Sequence, residues 1–233
     1  MRLQVFLSHS RVCSRRKALE LVQAGRVSVN GKAVTEPSYE VSPDAPDIRL
    51  DGKKVELGGK DYLILNKPRG IVTTLQDKYA QATVLGLLPK AYKHLYPVGR
   101  LDKDSEGLLL FTNDGDLTFK LLHPSFKVDK VYNVRVDKPL DENNIRHLER
   151  GVFIEGRKTA PAKITPVGRE SLRITIHEGR KRQIRLMLSG LGFQVRRLER
   201  IKYGPISLGN LRPGEWRLLE KKEIEALRKE AGG

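Results

Sequence analysis

Apolar positions recur at two periods along the chain, and the period changes where the predicted elements change. Leu3, Phe6 and Leu7 have helical spacing. A second helix is predicted over "SRRKALELVQAG", with Ser14 as cap, Ala18, Leu19, Leu21 and Val22 as apolar side, and Gly25 at its end. Val27 and Val29 then alternate up to Asn30-Gly31, a hairpin signal. A second strand pair is predicted around Asp51-Gly52, from Ile48, Leu50, Val55 and Leu57. Residues 1–57 therefore read as one small domain, and the "GGK" at 58–60 as a short linker.

From 61 to 233 the pattern is that of a second, larger domain. Strands are predicted at "YLILN" (62–66), "LLLFT" (108–112), "VYNVRV" (131–136) and "LRITIH" (172–177), and helices at 115–122, 141–149, 180–190 and 221–230. Irregular mixing of the two predicts an α+β fold with a mostly antiparallel mixed sheet. Asn113-Asp114-Gly115 reads as a turn, with Asp116 as cap of the helix that follows. The tail at 221–230 reads as a solvated helix face.

Charge changes this picture from a generic fold to a partner. Lys and Arg number 44 against 28 Asp and Glu, a formal net charge of +16. Such a field attracts polyanions, nucleic acid first and an anionic membrane surface second. The membrane is the weaker partner, because the apolar run Leu108 to Phe111 is far below a spanning length. The N-terminus turns basic too early for a secretory signal. One cysteine, Cys13, excludes an internal disulfide or a cysteine-rich zinc site, and the five histidines are scattered. Neither GxxxxGK[ST] nor GxGxxG occurs. The expectation is a soluble cytosolic protein without a metal or nucleotide cofactor.

Two basic clusters could meet that polyanion. Arg15, Arg16 and Lys17 open the second helix and Arg26 follows its end. Cations there oppose the helix dipole, which a docked phosphate would reverse; a solvated charge run is the plain alternative. In "EGRKRQIRLMLSGLGFQVRRLERIKYG", Ile184, Met187, Leu188 and Leu191 make a buried stripe, and Lys181, Arg182 and Arg185 are expected together on the opposite side. Arg196, Arg197, Arg200 and Lys202 would continue an RNA-backbone track.

The stretch "GRLDKDSEGLLLFTNDG" (99–115) resembles the GRLDxxxxGLLLxTNDG signature of bacterial ribosomal-RNA pseudouridine synthases. "NKPRG" (66–70), "DKVYNVRV" (129–136), "GRKTAPAK" (156–163) and "TIHEGRKRQIRLML" (175–188) follow in that family's order. "SRRKALELVQAGRVSVNGKAV" resembles the S4-type RNA-binding domain that many members carry. The resemblance implies isomerisation of a specific uridine in ribosomal RNA, with large-subunit members the better likeness. The partner is then ribosomal RNA, free or in a pre-ribosomal particle. The missing nucleotide and metal motifs fit a cofactor-free isomerase, and nothing in the sequence requires more than a monomer.

The resemblance also assigns residues. Asp102 becomes the carboxylate that attacks the anomeric carbon, assists loss of the neighbouring sugar proton, or stabilises positive charge there. Asp104, beside it, falls in a variable slot. Tyr132, in Lys130-Val131-Tyr132, becomes the ring that stacks on the flipped base, and Arg185 the cation expected to pair with Asp102 and keep it ionised. Arg100 would contact the flipped nucleotide or its phosphates, and Ile184 or Leu186 could wall the uracil pocket. Ser105 stands where many relatives have Thr or Cys. Without the resemblance Asp102 would be a turn or ion-pair residue, Tyr132 a core residue and Arg185 a surface arginine. A non-catalytic rRNA-binding assembly factor is the first rival, and a glycosidase or phosphoryl-transfer enzyme using Asp102 with Asp104 the second.

Overall fold

The computed structural model describes residues 1–42, 47–74 and 82–232. The chain divides into two compact units, one of Met1–Asp61 with Lys90–Leu95, the other of Tyr62–Pro89 with Tyr96–Gly233.

In the first unit, α1 (Leu3–His9) and α2 (Arg15–Gln23) pack through Leu3, Phe6, Leu7, Ala18, Leu21 and Val22. Ser14 caps α2 by accepting from Lys17 N at 3.2 Å. A small antiparallel sheet of β1 (Val27–Val29), β2 (Lys32–Val34), β3 (Ile48–Leu50) and β4 (Lys53–Lys54) closes the core with Val27, Val29 and Ile48. Asn30-Gly31 and Asp51-Gly52 turn its hairpins with positive φ at all four residues. Leu57, expected as a strand residue, lies beyond β4 and stays exposed. Arg11 donates to Gly59 O and meets Asp61, each at 2.7 Å.

The second unit is built on one sheet. Its strands are β5 (Tyr62–Lys67), β6 (Tyr96–Pro97), β7 (Glu106–Thr112), β8 (Lys130–Val136), β11 (Lys163–Gly168), β12 (Ser171–Ile176), β13 (Val195–Tyr203), β14 (Ile206–Ser207) and β15 (Trp216–Leu218). A separate hairpin is formed by β9 (Phe153–Ile154) and β10 (Arg157–Lys158). The main path runs β11-β12-β8-β13-β7-β5-β15, and every neighbouring pair is antiparallel except β13 with β7. β5 and most of β7 are buried throughout, as their unbroken apolar runs require. Helices α3 (Gly115–Leu122), α4 (Glu142–Arg150), α5 (Gln183–Gly190) and α6 (Lys221–Glu230) complete the unit. Leu117 and Leu121 of α3 and Leu227 of α6 join Ile64, Leu108, Leu110 and Tyr203 in its core. The α6 tail is thus docked by an apolar side as well as solvated. Among the described residues no helix is long and apolar enough to cross a membrane.

Three expectations change. Asp114, not Asp116, caps α3: its extended backbone ends the turn and its carboxylate accepts from Leu117 N at 3.3 Å. α5 begins at Gln183 rather than 180, because Arg182 is left-handed at φ 53°. Lys181 and Arg182 therefore precede the helix, and Arg182 meets Arg185 at Asp104 rather than along a helical face. In β13 the period of two turns Leu198 and Arg200 inward, so Arg200 leaves the expected basic track for the interior.

Candidate active site

The loop from Arg100 to Ser105 joins the turn after β6 to β7, and almost every residue in it is fastened. Thr73 Oγ1 donates to Leu101 O at 2.7 Å and accepts from Leu101 N at 3.3 Å. Gly70 N donates to Lys103 O at 2.7 Å. Arg185 Nη2 donates to Asp104 O at 2.9 Å. Lys67, fully buried, donates to Ser105 O at 2.6 Å and Pro68 O at 3.0 Å. Ser105 N closes the turn onto Asp102 O at 3.0 Å. Amid these clamps the side-chain carboxylate of Asp102 takes no hydrogen bond or ion pair among the described residues.

Asp104 has the opposite fate. Arg182 grips it at both oxygens, 3.3 and 3.2 Å, and Arg185 Nε lies 3.2 Å from Oδ2. That Nε–H is within ion-pair distance but not aimed as a hydrogen bond. Burial pushes the Asp104 carboxyl up, yet the Arg182 hydrogen bonds and the two guanidinium charges prevail and hold it below its ordinary value. The expected partner of Arg185 was Asp102; the ion pair formed is with Asp104. Arg185 also donates to Val195 O at 3.3 Å, so it works as a brace behind the loop.

Asp102 opens into a cleft of about 450 Å³. Its walls are the loop from Val98 to Asp102, Leu122 and Pro124 past α3, and the segment from Glu178 to Ile184 that leads into α5. Its sheet side presents Lys130 and Tyr132 of β8, Ile176 of β12, and Leu198, Arg200 and Tyr203 of β13. The register explains this grouping: Tyr132 pairs with Ile174 on one side and Arg200 on the other, and Lys130 with Ile176 and Tyr203. Asp102, Tyr132, Arg100, Lys181 and Arg182 all line the cleft, whereas Arg185 does not. Ile184 lines it and Leu186 does not. Arg100 is exposed and has no ion pair among the described residues.

No role at the site was expected of Lys67 or Lys130, and Arg200 was expected on the basic track instead. Burial depresses the Lys67 ammonium to about 8, against the pull of Asp102, Asp104 and Glu106. Burial and the Arg200 charge likewise bring Lys130 to about 8. Lys67 and Lys130 were within sight, in "NKPRG" and in the KxY pattern. Arg200 carried no such signal inside a run of basic residues.

In the first unit, Lys17 pairs with Glu20 at 2.8 Å and Arg26 with Asp51. Arg15 and Arg16 are exposed and have no partner among the described residues. Cys13 is half-buried, and burial pushes its thiol up. No cluster of three or more His, Cys, Asp or Glu suited to a metal occurs among the described residues.

Residues 61–190 match the RNA pseudouridylate synthase family, and residues 1–46 match the S4 domain. The chain is 40% identical over 233 residues to "Ribosomal large subunit pseudouridine synthase B" of Bacillus subtilis, covering 97% of this chain and 95% of that one. An "Uncharacterized RNA pseudouridine synthase" of Aquifex aeolicus is also 40% identical, across 100% of this chain and 95% of its own. A solved structure described as "Crystal structure of pseudouridylate synthase" superposes with a TM-score of 0.72 at 30% identity, over 97% of this chain and 99% of the other. An S4 domain followed by this cleft, and relatives of matching length at such identity, lead to one conclusion: the chain belongs to the RNA pseudouridylate synthase family and is a pseudouridine synthase.

Proposed function

We propose that this isomerase converts a specific uridine of ribosomal RNA, in the large subunit, to pseudouridine, with Asp102 as its reactive carboxylate. The free carboxylate of Asp102 carries the reading. The loop around it is held by Thr73, Lys67, Gly70 and Arg185, and the rival carboxylate, Asp104, is occupied by two arginines. That division also weakens a two-carboxylate glycosidase mechanism, which needs both groups at the substrate. The name of the Bacillus relative supports the large subunit as target.

The target base leaves its stack at a cost of about a few kcal/mol and enters the cleft. Tyr132, 9% exposed on the sheet side, offers its ring to the base. Arg100 and Lys181, both exposed at the rim, meet the phosphates on either side. Arg182 is held by Asp104 and fixes the loop first; any phosphate contact it makes is secondary. Asp102 then acts at the sugar, by bonding to its anomeric carbon or by taking the adjacent proton. Arg15 and Arg16, which no acid neutralises, would give the S4 domain its grip on the RNA backbone, with Lys17 and Arg26 at its edge.

The test is tritium release from RNA labelled at uridine carbon five, using separate small- and large-subunit transcripts. Wild type should release tritium from the large-subunit transcript, and Asp102→Asn from neither. Release by Asp102→Asn would remove the aspartate from the chemistry. Release from the small-subunit transcript alone would reassign the target.

A further inference from the structure

Arg200 stands at the centre of β13 with 3% of its surface exposed, yet it lines the cleft. Its Nε donates to Leu108 O at 2.8 Å, and its guanidinium carbon lies 5.1 Å from the centroid of the Tyr203 ring. Nη2 is shut off from solvent and has no acceptor. Nη1 has none among the described residues either, and no carboxylate comes within ion-pair distance. Lys130 adds a second cation 5.4 Å from the same ring, its ammonium hydrogen-bonded among the described residues to His177 O alone, at 3.0 Å.

A buried guanidinium without a counter-ion costs several kcal/mol that an apolar side chain would not. Packing does not explain it. A ligand that enters with an acceptor and negative charge does. Position decides which ligand: Arg200 sits beside Tyr132 across the strands, on the floor of the cleft, where a flat base arrives. The exposed Arg100 and Lys181 are better placed for solvated phosphates.

The chemistry supplies such a ligand. When the bond from the anomeric carbon to N1 breaks, its electron pair stays with the base. The sugar is balanced by an Asp102 oxygen, or by loss of its neighbouring proton to Asp102. The freed uracil is then an anion, with charge spread onto its carbonyl oxygens. Rejoining forms the bond through carbon five, whose proton is lost as N1 gains one, and no net oxidation occurs. We propose that Arg200 is a further catalytic residue, whose unbonded N–H groups receive a carbonyl oxygen of the detached uracil and stabilise its anion while it turns. This rests on the reading of the cleft around Asp102.

The experiment uses the full chain and the rRNA transcript that responds to wild type. Single-turnover rates at saturating RNA, RNA affinity and melting temperature are compared for wild type, Arg200→Met, Arg200→Lys and Asp102→Asn. Arg200→Met should slow the reaction about 10²–10³-fold, the loss typical of removing one anion-stabilising donor. Its RNA affinity should stay within about threefold, because the contact forms only as the bond breaks. Its melting temperature should equal or exceed that of wild type, since a buried unpaired charge is gone. Arg200→Lys should fall between the two, and added guanidinium ion should restore part of the Arg200→Met rate. A full rate in Arg200→Met would overturn the proposal. So would a loss confined to affinity, which would mark a phosphate contact, or a loss that follows a lowered melting temperature without rescue. Activity in Asp102→Asn would instead defeat the reading of the cleft, so the two failures are distinct.

Discussion

Gly107, within the signature, has a backbone angle of φ +100° and sits against Arg200 across the only parallel strand pair of the main sheet path. A Cβ there would lie 2.7 Å from Arg200 N and 3.0 Å from its carbonyl carbon, and closer still to the carbonyl oxygen. All three are backbone atoms, so no side chain can rotate away. Gly107→Ala must part β7 from β13 or twist residue 107 out of place. The strained angle costs roughly 1–3 kcal/mol. Overpacking of this kind adds roughly 1–3 kcal/mol. Their total of about 2–6 kcal/mol is a large share of the roughly 5–15 kcal/mol that stabilises a typical domain. Gly156→Ala is the control: φ is +76° but nothing lies within 4 Å, which leaves only a conformational cost of roughly 1–2 kcal/mol. The single tryptophan, Trp216, pairs with Leu65 in the same sheet, so its fluorescence follows unfolding of this unit in urea. Gly107→Ala should fall well below Gly156→Ala in stability and lose activity, because Arg200 moves with its backbone. Equal stability of the two variants would refute the close approach as a rigid feature.

Two further predictions concern the loop. Thr73→Val removes both hydrogen bonds to buried Leu101 while keeping the side-chain shape, and should cost about 1–3 kcal/mol. It should also lower the saturated rate more than RNA affinity, since the loop carrying Asp102 loosens; a change in affinity alone would contradict that. Asp104 supplies a pH dependence. Its folded value lies below its unfolded one, so the stability it contributes is complete above the unfolded value, about 3.9. That contribution disappears as the pH falls through the folded value. Asp104→Asn should therefore be less stable than wild type at neutral pH, and the gap should close on acidification below about 3.9. A gap that persists unchanged at low pH would mean that the Asp104 ion pairs do not govern the loop.

How far the sequence carried this site depends on what each residue's neighbours are. The unbroken run Leu108 to Phe111 announced a strand buried on both faces, and β7 is one. Ser14, Asn30-Gly31 and Asp51-Gly52 are local signals, satisfied within a few residues, and they appear where they were read. β13 was hidden because charged residues fill it; only Leu198 and Arg200 alternate inward, and an irregularity between Arg200 and Lys202 breaks the period before buried Tyr203. The left-handed residue that delays α5 was also illegible, because Arg182 takes that form while bound to Asp104, 78 residues away.

The ion pairs show the same limit at the site itself. Motif order could say that a cation stands near an aspartate, but not which of two aspartates two residues apart would turn toward it. The fold resolves this through reach: Arg185 is anchored to Val195 O and Asp104 O, and from there its Nε meets Asp104. Asp102 is thereby left as the carboxylate without a structural partner. Of the two aspartates, it is the one that the proposed chemistry can use. The neighbouring aspartate, in a slot that motif order leaves variable, takes over the structural work here.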